Sequence, residues 1–157
     1  PPLDIGSFNY NDLAKQFDSQ VQGRTVRIAD NNDPIAIVKL PNSNKGLAIM
    51  TAGYPHLVHY NPGDGVAKTL GITLTAFAKY GIQPLAFTNC MNFGSPENKY
   101  VMHDFKEVMQ TFDDNAVYYD IPIISGNVSF YNETDYEPIM PTPVFGAVGL
   151  IEDVYNV

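Results

Sequence analysis

Cationic side chains are scarce in this sequence: nine Lys and Arg stand against 17 Asp and Glu, leaving a net charge of -8 over 157 residues. A chain so poor in positive charge does not neutralise phosphates unaided, which argues against nucleic acid and against an anionic membrane as partners. A phosphate-bearing ligand would have to be held by backbone N–H groups, hydroxyls, metal ions or a partner chain. Cysteine is scarcer still. Cys90 is alone, so the chain forms no internal disulfide and offers no cysteine cluster for zinc, and a reducing cytoplasm is the simplest setting. No stretch approaches the roughly eighteen apolar residues that cross a bilayer. The opening "PPLDIGSFNY" has neither the basic start nor the apolar centre of a signal peptide. The missing initiator Met points to a piece of a longer protein. His56, His59 and His103 lack the spacing and neighbouring carboxylates of a metal or catalytic cluster, and surface or packing roles suit them.

What is present is material for one ordinary core, with 45% hydrophobic and 17% charged residues. "TVRIA", "IAIVKL" and "GLAIMT" read as strands separated by the turn formers "DNNDP" and "PNSNKG", an antiparallel opening. From Gly65 to Tyr80, Ala67, Leu70, Leu74, Phe77 and Ala78 recur three or four apart, predicting a helix that Gly81 stops. "PLAFTN" reads as a short buried strand. Tyr100 to Tyr119 repeats the helical signal, and "IPII" and "VFGAVGLI" supply the last strands. The prolines of "PIMPTPV" fit an edge or lead-in segment, because proline donates nothing to a ladder. Helices of this length returning to neighbouring strands predict an α+β fold: a two-layer mixed sheet with helices on one face.

Two stretches interrupt the pattern with small polar groups. "TNCMNFGSPE", Thr88 to Glu97, brings Asn89, Asn92, Gly94, Ser95 and Pro96 to the end of a strand. Such residues dominate ordinary helix-capping turns, and they also offer amides to a ligand. "ISGNVSFYNE", Ile124 to Glu133, follows the apolar "YDIPI" and reads either as a turn or bulge or as a ligand cradle. In the second reading Gly126 allows close backbone approach, and Asn127 and Ser129 offer a carbonyl oxygen and a hydroxyl. Cys90 has no histidine near it in sequence and reads as a buried thiol. Asp113 and Asp114 fall on the polar side of a helix, where water solvates them.

"FDSQVQGRTV", "YGIQPLAFTNCMNFGSPE", "PIISGNVSFYNET" and "PTPVFGAVGLIEDV", in this order, resemble the synthetase subunits of phosphoribosylformylglycinamidine synthases. The resemblance runs from about Asp12 to Val154 and is to the first domain of the second half of those enzymes, an aminoimidazole-ribonucleotide-synthetase-like N-terminal domain. It implies residues 1–24 as a linker from a preceding domain and residues 25–157 as the domain itself. The reaction implied converts formylglycinamide ribonucleotide, ATP and glutamine-derived ammonia into formylglycinamidine ribonucleotide, a step of purine biosynthesis. By the same resemblance Asn89 and Gly126 match ATP-binding positions, Asn127 a magnesium ligand and Ser129 a contact to the ribonucleotide. No catalytic residue falls in this chain. The implied partners are the enzyme's other half and a glutaminase subunit or domain, and a fragment of this kind is expected to form a homodimer.

The sequence departs from the family where Thr51-Ala52-Gly53-Tyr54 lacks a carboxylate and where Ile72 and Ala76 replace a Glu and an Asn. Three oxygen ligands expected near Asn127 are therefore missing, and hard cations need several. This keeps open a second reading, a structural pairing domain with a vestigial nucleotide site. A third, aminoimidazole ribonucleotide synthetase itself, is disfavoured by "NVSFYNE" and "CMNFG".

Overall fold

The computed structural model describes residue 17 and residues 19–135 and 137–157. Of the linker expected over residues 1–24, residues 1–16 and 18 lie outside the described residues. Six strands follow: β1 (Thr25–Arg27), β2 (Ala36–Lys39), β3 (Gly46–Ala52), β4 (Pro84–Asn92), β5 (Ile123–Ser129) and β6 (Thr142–Ile151). They form one sheet in the order β1-β2-β3-β6-β4-β5. Every pairing is antiparallel except β4 with β5. The expected mixed sheet is thus present, and the strand expected after "PIMPTPV" proves to be central: β6 lies between β3 and β4, with Pro143 near its start.

Helix α2 (Pro62–Ala78) is capped by Asn61, whose side chain accepts from the N–H of Asp64 at 2.9 Å, with Pro62 in the first turn. Gly81, at a φ of 66°, takes the left-handed conformation just after it, as the sequence implies. Helix α3 (Lys99–Tyr118) is capped in the same way by Asn98. A shorter helix, α1 (Pro55–Tyr60), was not foreseen. It lies so close to α2 that a methyl group on Gly65 would stand 2.5 Å from the backbone nitrogen of Val58.

The core lies between helices and sheet. Strand β6 alternates half-buried and buried residues without a break, and Phe145, Ala147 and Ile151 of its buried set join Ala48 and Met50 of β3 and Phe87 of β4. Phe112 of α3 stacks on Phe145 with centroids 4.5 Å apart and meets Phe87 at 5.9 Å. Each such ring contributes about 1.5–3 kcal/mol by leaving water. A second cluster, Phe105 between Phe93 and Phe130 at 5.3 and 5.1 Å, ties α3 to the segments that follow β4 and β5. The sheet's other face has no helix among the described residues. Leu47, Val144, Val148 and Leu150 are half-buried there, and Ile49 is exposed.

Candidate ligand site on strands β4 and β5

The two polar stretches that the sequence singles out are neighbours. Strand β4 continues through Asn92 and β5 through Ser129, so Cys90–Asn92 and Ser125–Ser129 are strand, beyond the ends expected for "PLAFTN" and "IPII". The reason is hydrogen bonding. Polar residues here are held in the extended form by the ladder to β6 and by the parallel β4–β5 pairing, which matches Asn89 with Gly126, Cys90 with Asn127 and Asn92 with Ser129. The true loops begin at Phe93 and Phe130.

Alternation then divides the four candidate residues between two faces. Asn89 lies on the helix-covered face with fully buried Phe87 and Met91, and its side chain reaches over Gly126: a methyl group on that glycine would fall 2.7 Å from Asn89 Oδ1. Asn127 and Ser129 belong to the open face, where Asn127 Nδ2 is 4.0 Å from Cys90 Sγ and Asn92 donates to the carbonyl of Thr142 at 3.0 Å. Cys90 is half-buried in mid-strand, less enclosed than expected. Strand β5 is the sheet edge, so alternate backbone N–H and C=O groups around Gly126 point away from the ladder, available to a ligand.

Asn132 and Glu133 complete this end of the sheet. Asn132 Nδ2 donates to the carbonyls of Phe93 and Ser129, each at 2.9 Å, and lies 3.2 Å from Ser129 Oγ. Glu133 Oε1 accepts from the N–H of Ser95 at 2.7 Å. Backbone bonds from Tyr131 to Gly94 and from Phe93 to Ser129 close the same junction. Tyr131 sits at a φ of 60°, the left-handed turn that brings Asn132 round. Sequence reasoning missed both residues as positioning groups. The only signal was their place within the quoted motif, since the partners that tie them to the end of β4, Ser95 and Phe93, lie more than thirty positions away.

The three lost carboxylate and amide positions do not converge on Asn127. Ala52 pairs with Phe145, which pairs with Asn89, so Ala52 belongs to the helix-covered face. Three strand spacings, about 14 Å, separate β3 from β5, and Asn127 is on the opposite face. Magnesium–oxygen bonds of about 2.1 Å cannot bridge that gap. Ile72 and Ala76 line a groove on α2 with Pro34, Leu57, Lys68 and Lys79, to which neither β4 nor β5 contributes. Ala52 and Ala76 are buried in the core, consistent with their loss of polar side chains. The expectation that oxygen ligands there would rebuild a site around Asn127 is therefore corrected. Among the described residues, no group of three or more His, Cys, Asp or Glu is placed to hold a metal.

A family model for the AIR synthase related protein, N-terminal domain, matches residues 32–151. The chain belongs to that family. This AIR synthase related domain is 39% identical over 140 residues to the phosphoribosylformylglycinamidine synthase subunit PurL of Carboxydothermus hydrogenoformans, covering 89% of this chain and 19% of that protein. Thermotoga maritima PurL, solved with ATP and with FGAR, superposes with a TM-score of 0.79 at 25% identity, over 96% of this chain and 24% of that one. The PurLQS assembly from the same organism gives a TM-score of 0.82 at 25% identity, over 96% of this chain and 25% of that one. The AIR synthase related domain thus spans about a fifth of the length of the curated relative it matches. No helix among its described residues is long and apolar enough to cross a membrane.

Proposed function

We propose that this chain is the first domain of the second half of a formylglycinamidine ribonucleotide synthetase. In this reading it forms part of an ATP-dependent ligase that joins ammonia to formylglycinamide ribonucleotide in the cytoplasm. Residues 25–157 are the domain and residues 1–24 the linker into it. The observation that carries the reading is the parallel β4–β5 pair, which aligns Asn89 with Gly126 and Asn92 with Ser129 at one edge of the sheet, in a chain alike in sequence and fold to PurL. A phosphate or ribonucleotide held there would meet amides, a hydroxyl and edge backbone groups, which suits a chain poor in Lys and Arg. Asn89 and Gly126 are assigned to ATP and Ser129 to the ribonucleotide. Asn127 is assigned to magnesium, where it would supply one oxygen and the nucleotide's phosphates others. The glutaminase partner follows from likeness to the PurLQS assembly.

The open sheet face fits the enzyme's other half, and in the isolated chain a second copy covering the same apolar surface. A second reading is favoured by the half-buried apolar residues of the open sheet face: this half serves to pair structurally and its own nucleotide site is vestigial. Counting nucleotide equivalents bound by the full-length protein, with and without magnesium, separates the two. Two equivalents favour a working site in this half, and one equivalent favours the pairing domain. The isolated 157-residue chain is expected to form no amidine, because none of its histidines has a base or nucleophile environment; turnover by the purified chain would refute that.

A further inference from the structure

Away from the β4–β5 edge, a pocket of ≈ 560 Å³ opens between α1, the first turns of α3, Thr134 and residues 137–141. Phe93, Val101, Pro138, Ile139 and Met140 give it apolar walls. Its volume is that of ordinary small-molecule sites, which combine such walls with a few polar groups. One wall is built firmly, since the loop from Phe93 to Ser95 is tied to Asn132 and Glu133 by the bonds described above.

Three ionisable side chains add polar groups to the apolar walls of the pocket. Asp104, Glu137 and His59 all line it, and none of the three side chains has a hydrogen bond or ion pair among the described residues. Glu133 nearby is engaged by the N–H of Ser95 and is not among the lining residues. Burial pushes the Asp104 carboxyl above its ordinary range, against the weaker pull of His103 and His59. Lys99 is turned onto the Tyr100 ring, 5.0 Å from its centroid, and is not among the lining residues. Two carboxylates with no hydrogen bond or ion pair among the residues lining an apolar pocket favour a ligand that brings both positive charge and N–H donors.

We propose that this pocket binds a small organic cation, an amine or amidine on an apolar body, with Asp104 and Glu137 as its counter-charges. The apolar body fills the space against Phe93 and Met140, and the cationic head donates to the carboxylates. This site is distinct from the nucleotide and ribonucleotide positions proposed on β4 and β5 and does not depend on them.

The test uses the 157-residue chain, with benzylammonium and its neutral isostere benzyl alcohol as probes, followed by backbone amide shifts in nuclear magnetic resonance. Benzylammonium should bind about tenfold tighter than benzyl alcohol, with the largest shifts at Gly94, Val101 and Ile139. Asp104→Asn, which keeps the shape of the side chain, should erase that preference, and Asp113→Asn on the far polar side of α3 should leave it intact. If Asp104→Asn fails to fold, the exposed Glu137→Gln carries the same comparison. Equal affinities for the two probes, or shifts centred elsewhere, would overturn the proposal. So would displacement of benzylammonium by millimolar magnesium, which would make the pocket a metal site.

Discussion

Substitution of Gly126 by alanine separates the site from the scaffold. The new methyl group would lie 2.7 Å from Oδ1 of Asn89, 3.0 Å from its Nδ2 and 3.1 Å from its Cγ. All three atoms belong to the end of one half-buried side chain, so Asn89 yields by rotating and the backbone of β4 stays in place. An off-rotamer amide costs about 0.5–1.5 kcal/mol. Against this, alanine in a strand recovers about 0.5–1 kcal/mol of backbone entropy relative to glycine. The two effects nearly cancel, and urea denaturation of the chain should show a stability change within about 1 kcal/mol. The Asn89 side-chain amide should meanwhile show the largest displacement in a nitrogen–proton correlation spectrum. In the full-length protein the same substitution should weaken nucleotide binding, because it moves one of the two groups assigned to ATP. A loss of more than about 2 kcal/mol, or an undisturbed Asn89 amide, would refute the placement of Asn89 over Gly126.

Three further outcomes follow from the geometry. Gly65→Ala puts a methyl group 2.5 Å from Val58 N and 2.6 Å from Leu57 C, backbone atoms that cannot rotate away; overpacking outweighs the roughly 1 kcal/mol gain in helix propensity, and denaturation should show a loss of about 2 kcal/mol. Asn132→Ala should cost about 1–2 kcal/mol and speed amide exchange at Phe93 and Tyr131, and unchanged exchange would contradict the junction described here. Burial raises the Asp33 carboxyl, but hydrogen bonds from Tyr80 at 2.7 Å and from the N–H of Ile35, with Arg27 nearby, outweigh this and hold it below its ordinary value. A depressed folded pKa gives stability that is full above the unfolded value and is lost as pH falls through the folded one, so Tyr80→Phe should flatten the acid limb of the stability profile, and an unaltered limb would count against that hydrogen bond.

Much of this fold is legible in the sequence because apolar spacing reports burial. The helices over Pro62–Ala78 and Lys99–Tyr118 fall within a few residues of their periodic patterns. The alternation in "VFGAVGLI" marks a strand with one buried face. Spacing fails where hydrogen bonds decide. Cys90–Asn92 and Ser125–Ser129 look like turns by composition, yet they are strand because β4 pairs with β6 and β5 pairs with β4. Helix α1 is too short to show a period, and Pro55 at its start reads as punctuation. At the candidate site, the residue types of Asn89, Gly126, Asn127 and Ser129 are visible in the sequence. Their division between two faces, and the distance of Ala52 and Ile72 from Asn127, are properties of the strand order. The pocket at Asp104 was hidden for a similar reason: His59, Asp104 and Glu137 come from three separate segments.

The most direct test of the proposed function is the affinity of the full-length protein for formylglycinamide ribonucleotide, measured by calorimetry with and without Ser129→Ala. Ser129 lies on the open face beside Asn92, with its hydroxyl near Asn132. Loss of a charge-assisted hydrogen bond to phosphate should weaken binding by about 1.5–3 kcal/mol, roughly ten- to 150-fold in Kd, while the unfolding midpoint stays unchanged. Unchanged affinity in a folded variant would contradict the account and leave this domain with pairing as its role.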